Sequence, residues 1–398
     1  MSFPYIKTLT INDCYAYKNL QVDAEPDGLA FKHIILTGKN GSGKSTILRS
    51  LNKNFGYLRI KGSQEKAIKN FQIWISDNPN SPNIPNWQSQ LEMLSQVNPS
   101  FSTESNYFLE NNPNYILHFF GSKRHVLEEK ITTVTDNSEF EKALSGEKEI
   151  VLSTRLKQYL VNKKVAQAFD QIEQRPLDQN QNFFENFELI LQTLFSDKTI
   201  SLIFKRNKFD FSIKGKDGEI SIEHLSDGFS SALSIFLDLM VRVDLIRQNI
   251  GDYTFEVPGI ILIDEPENHL HLELQYAILP IITTFFPGIQ IIAATHSPAV
   301  ISSLPNAVVY DISTQKTISD WPLGCSFSEL MLRHFGLENE YGPVADKIID
   351  DVKAAVKNKD RDKLFSIFTE NEKYLEGNTL KIEIENELIR MEAGKLVK

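Results

Sequence analysis

The chain has 398 residues, 41% of them hydrophobic and 24% charged, which is the composition of an ordinary globular protein of two or three domains. Its formal net charge of −10 argues against a protein whose whole surface binds nucleic acid, although a local basic face is compatible with it. The two cysteines, Cys14 and Cys325, form no disulfide framework and no metal-ligand spacing, and no stretch approaches the ~20 apolar residues of a membrane span. We therefore expect a cytoplasmic protein with no signal peptide and no membrane partner.

The N-terminal part of the chain centres on the segment GKNGSGKST, which fits the pattern G-x-x-x-x-G-K-[ST]. Two alternating segments between residues 5 and 25 precede it and predict a pair of antiparallel strands. An apolar strand at 34–36 enters the segment and a helical run at 47–51 leaves it, which is typical of a phosphate-binding loop. We therefore predict that ATP and Mg²⁺ bind here, with the nucleotide held by Gly38, Asn40, Gly41, Ser42, Gly43, Lys44, Ser45 and Thr46.

The region after this loop is basic and then polar. Residues 49–69 contain Arg49, Lys53, Arg59, Lys61, Lys66 and Lys69 against a single acid, Glu65. A solvated helix face is the preferred interpretation of this set and a DNA-contacting face is the alternative. Between 77 and 112 the composition shifts to Asn, Pro, Ser and Gln without a sustained period, which predicts a long surface loop or short helices.

The sequence in the middle of the chain predicts one more strand followed by an insertion. The run at 115–120 predicts a buried strand, and Arg124 just beyond it has either a nucleotide or interface role or a surface ion pair. Residues 139–195 show near-helical spacing interrupted at Arg175-Pro176, which predicts two helices meeting at a turn. Two alternating strands at 200–204 and 209–213 follow, with Lys216-Asp217-Gly218 as a hairpin turn and a basic surface between 205 and 216.

Three further motifs lie downstream. The first is LSDGF, in which Ser226, Asp227 and Gly228 open an apolar helix whose free N–H groups can meet a γ-phosphate; helix capping is the alternative role. The second is a buried strand ending in Asp264 and Glu265, which suit a magnesium ligand and a residue that polarises the attacking water. The third is a buried strand leading to Thr295-His296-Ser297-Pro298, which places the His296 imidazole at the same sheet edge.

The order of these motifs resembles that of ABC-type ATPases of the SMC, RecF and overcoming-lysogenization-defect kind, including bacterial defence ATPases of Septu and retron systems. Their pattern E-x-H-L-H-P-x-x-Q, then f-P-x-I-Q-x-I-x-x-T-H-S-P, is matched at Glu267, His269, Leu270, His271, Gln275, Phe286, Pro287, Ile289, Gln290, Ile292 and Thr295 to Pro298. The resemblance covers residues 1 to 310 in discontinuous blocks. The chain departs from it at Leu272, where proline is usual, and at Asp227, which replaces a glycine; Gln72 is the candidate for the family's Q-loop glutamine.

The resemblance implies an α/β fold: an ABC-type P-loop NTPase head with a mixed sheet and flanking helices. We expect the head at 1–138 and 199–315, a helical insertion at 139–198 and a C-terminal helical domain at 316–398. It further implies ATP hydrolysis with Glu265 and His296 as catalytic residues, Ser45 and Asp264 as metal ligands, and a homodimer, or a higher oligomer, that joins two heads through their ATP sites.

The C-terminal region decides whether nuclease activity is expected in this chain. Relatives of the lysogenization-defect kind have a Toprim nuclease after the histidine motif, but Asp360 and Asp362 lie at a helix junction with no preceding strand. We therefore expect no nuclease chemistry here, and instead a nucleotide-dependent sensor or scaffold for a separately encoded nuclease or toxin in anti-phage defence. A RecF-like DNA-repair ATPase using the basic segments is the alternative, and an ABC transporter ATPase is disfavoured by the soluble-type T-H-S-P ending.

Overall fold

The computed structural model describes residues 4–14, 17–26, 28, 31–104, 107–124, 131, 133–145, 155–173, 178–318, 343–371 and 379–396. The chain forms two compact units, Met1–Gly324 and Cys325–Lys398. Within the described ranges, no helix is both long and apolar enough to cross a membrane. Each unit has its own hydrophobic core.

The first unit is built on a six-stranded sheet with the order β12-β11-β3-β10-β9-β5. Five strands are parallel, and β12 pairs antiparallel with β11. The strands β3, β9 and β10 are buried along their whole length, which explains their continuous apolar sequences. The bounds of the sheet strands are β3 His33–Thr37, β5 Ile116–Phe120, β9 Gly259–Asp264, β10 Ile289–Ala294, β11 Ala307–Asp311 and β12 Lys316–Thr317.

A three-stranded antiparallel sheet, β2-β1-β4, packs onto the central sheet. Its strands are β1 Ile6–Cys14, β2 Tyr17–Asp23 and β4 Val97–Phe101, so the predicted N-terminal strand pair is confirmed. The Gln290 side chain joins the two sheets, because its amide accepts from the Ile6 N–H at 2.8 Å and donates to the Ile6 carbonyl at 3.0 Å. A second antiparallel sheet contains β6 Ser201–Lys205, β7 Asp210–Gly215 and β8 Gly218–Ser221, of which β8 was not predicted.

Helices cover these sheets. Helix α1 begins directly after the phosphate-loop segment and buries Ile47, Leu48, Leu51 and Phe55 in the main core. Helices α6 and α7 lie on either side of Arg175-Pro176 as predicted, and α5 is a further helix in the insertion; residues 174–177, where the turn was predicted, lie outside the described residues. The helices are α1 Lys44–Lys61, α2 Gln64–Asp77, α3 Ile84–Gln96, α4 Tyr107–Glu110, α5 Ser138–Ser145, α6 Leu156–Ile172, α7 Asp178–Leu194, α8 Asp227–Ile250, α9 Leu272–Phe285 and α10 Pro298–Ile301.

The structure differs from the sequence-based expectation between residues 77 and 112. The polar segment contains the 13-residue helix α3 and the strand β4, which pairs with β1. Leu94 of α3 is fully buried and packs with Ala67 and Phe71 of α2. The alternative of short helices is therefore correct in part, since the four-residue α4 also lies here, whereas a long surface loop is wrong. The period of α3 was missed because this helix buries only one narrow side.

The second unit is helical. Its described helices are α11 Pro343–Lys357, α12 Arg361–Glu370 and α13 Thr379–Leu396. They bury Ile348, Ala355, Leu364, Ile367 and Ile384 in a common core. The sequence of Ser326 to Glu329 fits a capping box and predicts the start of another helix, but these residues lie outside the described ones.

Candidate nucleotide-binding site

The predicted site residues other than the signature follow the ends of strands at one edge of the central sheet. Because β3, β5, β9, β10 and β11 are parallel, the residues that follow each strand lie on the same edge. Gly43 is the N-cap residue of α1 and has a φ of 94°. As a glycine it has no side chain that could cap the first N–H groups of the helix. The first N–H groups of α1 therefore lie at the loop with the positive end of the helix behind them, which is a favourable setting for an anion.

Lys44 is buried at the start of α1 and its ammonium spans the loop. Nζ donates to the Gly38 carbonyl at 2.9 Å and to the Lys39 carbonyl at 3.3 Å. Burial lowers the pKa of Lys44, and the carboxylates of Glu265 and Asp264 oppose that shift. An ammonium has three donors, so this one is held by the loop and still has an N–H to offer a phosphate.

The two predicted metal ligands are in direct contact. Ser45 Oγ lies 2.8 Å from Asp264 Oδ1, although the residues are far apart in the sequence. A hydroxyl beside a carboxylate is the kind of oxygen pair that Mg²⁺ takes together with substrate phosphates. The buried Ser42 Oγ also has no hydrogen-bond partner among the described residues. The loop therefore fits a phosphate with its magnesium ion, which would be held by Ser45 and Asp264.

Glu265 and His296, the predicted catalytic pair, face each other across the ends of β9 and β10. His296 Nε2 lies 3.7 Å from Glu265 Oε1. Burial, followed by the neighbouring Glu267 and Asp264, raises the pKa of Glu265 to about 8. Burial and the charge of Lys44 lower the pKa of His296, which favours a neutral imidazole. Glu265 also has a φ of 50°, which is uncommon for a residue other than glycine.

Arg124 holds the backbone beneath these two acids. Its guanidinium donates to the carbonyls of Asp264 at 2.7 Å and Glu265 at 2.8 Å, and to its neighbour Gly121 at 2.6 Å. The side chain is buried, so these bonds replace water around a full charge. Of the two roles left open by the sequence, the structure excludes a surface ion pair and places Arg124 within the candidate site.

Glu267 and Gln275 connect the loops that follow β9 and β10. Glu267 Oε1 accepts from Thr295 Oγ1 at 2.6 Å and from the His296 N–H at 2.9 Å. Ser297 Oγ donates to Gln275 Oε1 at 2.6 Å, and Gln275 donates to the Leu270 carbonyl at 2.9 Å. These residues of the E-x-H-L-H and T-H-S-P motifs therefore fix the position of His296 relative to Glu265.

A further contact with the phosphate loop was not predicted from the sequence. It comes from the end of β11, where Asp311 Oδ1 accepts from the Ser313 N–H at 2.8 Å and Ser313 Oγ accepts from the Lys39 N–H at 2.6 Å. A Cβ on Gly38 would lie 2.8 Å from Ser313 Oγ, so glycine allows this close approach. The sequence feature that could have indicated this contact is the apolar strand β11, which ends in Asp311 at the same edge of the sheet.

Among the described residues, no hydrogen bond joins the signature residues to the phosphate loop. Ser226 and Asp227 are exposed, and Ser226 is the N-cap of α8 without a side-chain capping bond. Gly228 is buried and packs against the His269 backbone, since a Cβ at this position would lie only 2.3 Å from the His269 carbonyl oxygen. Packing within the chain therefore explains Gly228, whereas side-chain capping does not explain Ser226.

The other residues named from the sequence have these positions. Asn40 and Gly41 are exposed at the tip of the loop, and Thr46 is half-buried in the first turn of α1. His269 and His271 are exposed, and the described residues contain no His, Cys, Asp and Glu cluster suited to a metal ion. Gln72 is exposed in the middle of α2.

The fold and this edge define the chain as an ABC-like ATPase with an α/β P-loop NTPase fold. The sequence model of the family described as "AAA domain, putative AbiEii toxin, Type IV TA system" matches residues 101–302, about half of the chain. The chain belongs to this family. The match contains the signature, Asp264, Glu265 and His296, whereas the phosphate loop precedes it.

Two relatives are similar over part of the chain. The Septu protein PtuA of Bacillus thuringiensis is 27% identical over 175 residues, covering 41% of this chain and 44% of the relative. The Retron Vc95 probable ATPase of Vibrio cholerae is 31% identical over 114 residues, covering 29% of this chain and 22% of the relative. The chain thus spans less than half the length of each. These matches confirm the predicted resemblance to ATPases of the defence type.

A solved structure is also similar. The Smc head domain of Pyrococcus furiosus, bound to the C-terminal domain of ScpA, aligns with a TM-score of 0.37 and 13% identity, over 79% of this chain and 95% of that one.

Proposed function

We propose that the chain binds ATP with Mg²⁺ at the phosphate loop and hydrolyses it. The contact between Ser45 Oγ and Asp264 Oδ1 at 2.8 Å, directly beside Lys44, carries this proposal, because phosphoryl transfer needs a cation held next to the phosphate charge. When bound, Mg²⁺ neutralises charge on the phosphate oxygens. The membership in an ATPase family and the retron relative's printed name support the same activity.

The chain's own residues have distinct roles in this reaction. Lys44 and the N–H groups of the loop bind the phosphates, and Ser45 with Asp264 holds the cation. Glu265 accepts a hydrogen bond from the attacking water, and Arg124 fixes the Glu265 carbonyl. His296, positioned by Glu267, offers its imidazole N–H to the terminal phosphate.

We further propose that the hydrolysing unit is a homodimer, or part of a higher oligomer, with two composite sites. Ser226 and Asp227 are exposed, and no hydrogen bond among the described residues joins them to the loop at 38–46. Their position at the start of the 24-residue helix α8 suits contact with a phosphate bound by another copy. A twofold pair of heads gives each loop the signature residues of its partner.

In the cell, we propose that this ATPase acts in the cytoplasm as a sensor or scaffold in anti-phage defence and controls a separately encoded nuclease or toxin. The similarity to a Septu protein and a retron ATPase supports this role. In the second unit, Asp360 caps α12 by accepting from the Lys363 N–H at 3.0 Å, which is a structural role for half of the D-x-D sequence. Both the insertion at 139–198 and the helical domain at 316–398 are proposed as surfaces for such partners.

Hydrolysis is tested with Glu265→Gln and Lys44→Ala. The first change keeps the size of the side chain but replaces its carboxyl group with an amide that cannot take a proton from the attacking water, so ATP binding is retained and phosphate release falls by at least about 100-fold. The second weakens ATP binding itself, because a charge-assisted contact worth roughly 1.5–3 kcal/mol is lost. The exposed neighbour Lys39→Ala serves as the matched control, since the hydrogen bonds of Lys39 use its backbone N–H and carbonyl. Phosphate release by Glu265→Gln at the parental rate would contradict the assignment.

A further inference from the structure

An aromatic ladder runs across the surface formed by α1, α2 and α3, away from the sheet edge. Lys53 lies 5.6 Å from the ring centre of Tyr57, and Tyr57 meets Phe71 edge-to-face with ring centres 5.8 Å apart. The ladder continues to Trp74 at 5.2 Å and from Trp74 to Trp87 at 6.0 Å. Trp74 is 43% exposed, so part of its indole faces water at the end of a supported row of rings.

The cations around this ladder are available to a ligand. Arg49, Lys61, Lys66 and Lys69 are exposed, and Lys53 is half-buried against Tyr57. None of the five forms a salt bridge with another described residue. The acids of the same three helices are Glu65, Asp77 and Glu92, so cations exceed acids on a chain of net charge −10.

Arg59 does not belong to this set, although the sequence grouped it with the other cations. Its guanidinium is largely buried and donates to the Leu117 carbonyl of β5. Burial, together with the nearby Arg242, lowers the pKa of Arg59 to about 10. The basic surface is therefore smaller than the sequence indicated.

We propose that this surface, defined by Lys53, Tyr57, Lys66, Lys69, Trp74 and Trp87, binds single-stranded nucleic acid. Bases stack on exposed aromatic rings irrespective of their sequence, while lysine and arginine side chains follow the phosphate backbone. Paired bases in a duplex present no free face to such a ring, so a single strand is the favoured form. The proposal stands independently of ATP hydrolysis, because none of these residues lies at the nucleotide site.

A protein partner is the competing occupant of the same surface. Ile60 and Ile73 are 63% and 52% exposed, and an apolar contact would use them together with Trp74. The unpaired cations favour the nucleic acid, since charged residues are depleted from the core of protein interfaces. The two occupants differ in their dependence on salt and on Lys66 and Lys69.

The test uses the purified full chain and the oligonucleotide dT20, with a 20-base-pair duplex for comparison. Two of the chain's three tryptophans, Trp74 and Trp87, lie on the surface, so quenching of intrinsic fluorescence reports occupancy directly. We expect dT20 to quench the emission and to bind more tightly than the duplex. Because phosphate contacts release counterions, the logarithm of the affinity should fall linearly with the logarithm of salt concentration.

The variants separate stacking from general electrostatic attraction. Trp74→Ala should weaken dT20 binding by about 5- to 150-fold, from the cost of one lost base stack, whereas the adjacent Ile73→Ala should leave it unchanged. Fluorescein-labelled dT20 reports binding for these variants by anisotropy. Lys66→Glu with Lys69→Glu should reduce both affinity and the salt slope, whereas Arg206→Glu with Lys208→Glu, the same charge change on exposed residues outside the surface, should not.

Three results would overturn the proposal. They are the absence of salt-dependent dT20 binding by the folded chain, an equal loss from the two charge-reversal pairs, and parental affinity in Trp74→Ala. An equal loss of dT20 binding in Ile73→Ala and Trp74→Ala would also contradict specific stacking on Trp74. Circular dichroism of each variant checks that the chain keeps its parental helix content.

Discussion

Arg124 gives the sharpest prediction about how the catalytic acids are held. Its guanidinium makes three hydrogen bonds of 2.6–2.8 Å to carbonyls, two of them from Asp264 and Glu265. Arg124→Lys keeps the charge, but a single ammonium cannot reproduce the planar fork that reaches both acids. We therefore expect it to leave at least one of these carbonyls without its donor in a buried setting.

The size of the effect follows from these contacts. A hydrogen bond to a charged group contributes roughly 1.5–3 kcal/mol, so losing one or two lowers the free energy of unfolding by about 2–5 kcal/mol. Glu265 has a φ of 50°, and the Arg124 bond to its carbonyl holds this uncommon backbone conformation. A misplacement of about 1 Å at a catalytic group costs on the order of 100-fold, so kcat for ATP should fall by about 10- to 100-fold.

The assay compares kcat, KM and ATP affinity for the parent, Arg124→Lys and the neighbouring control Lys123→Ala. Lys123 is exposed, so Lys123→Ala removes a positive charge next to the site, which Arg124→Lys does not, while every bond from Arg124 to the acids is kept. We expect KM within about 3-fold of the parental value, because the phosphate loop is unaltered. Urea unfolding of each variant shows that the protein measured is folded. A folded Arg124→Lys variant with parental kcat would refute the role of Arg124 in positioning Glu265.

Two further predictions concern stability. Gly228→Ala places a Cβ 2.3 Å from the His269 carbonyl oxygen and should lower the free energy of unfolding by about 1–3 kcal/mol. Gly56→Ala adds a Cβ in open space within α1 and should raise the free energy of unfolding by about 0.5–1 kcal/mol. Urea unfolding that ranks the two variants in the opposite order would contradict this packing. Burial lowers the pKa of His33 from 6.5 to about 4, and its Nδ1 accepts from the Ile291 N–H at 3.0 Å. The unfolded state therefore binds the proton more tightly, so the contribution of His33 to stability is complete above pH 6.5 and falls by up to about 3 kcal/mol as the pH approaches 4. His33→Gln should reduce this dependence of the free energy of unfolding on pH. An unchanged dependence in the variant would contradict the role of His33.

The parts of the site that are local in sequence were predictable. The glycine spacing around Lys44 and the buried strand ending in Asp264 and Glu265 specify their chemistry through short-range rules of turns, helix ends and buried strands. The structure brings these residues together through the parallel pairing of β3, β10 and β9, which is the arrangement expected for a P-loop fold.

The contacts that the sequence could not show are those between distant segments. Arg124 reaches the acids at 264 and 265, and Ser313 reaches the phosphate loop, only because β5 and β11 lie in particular places in the sheet. Arg59 was grouped with surface cations because no local rule marks a buried arginine that binds the Leu117 carbonyl. The strand β4 escaped prediction because Pro99 and its polar neighbours conceal an otherwise alternating segment.

Mixing two inactive variants tests the central proposal, composite ATP sites between two copies, most directly. In a mixed dimer of Lys44→Ala and Ser226→Arg chains, one site receives both defects, whereas the other combines an intact phosphate loop with an intact signature. We predict that each variant alone is inactive and that an equal mixture recovers about a quarter of the parental hydrolysis, since half of the dimers are mixed and each has one intact site. Differently tagged chains, purified through both tags, establish that mixed dimers are present. Mixed dimers that hydrolyse no more ATP than the separate variants would contradict the account.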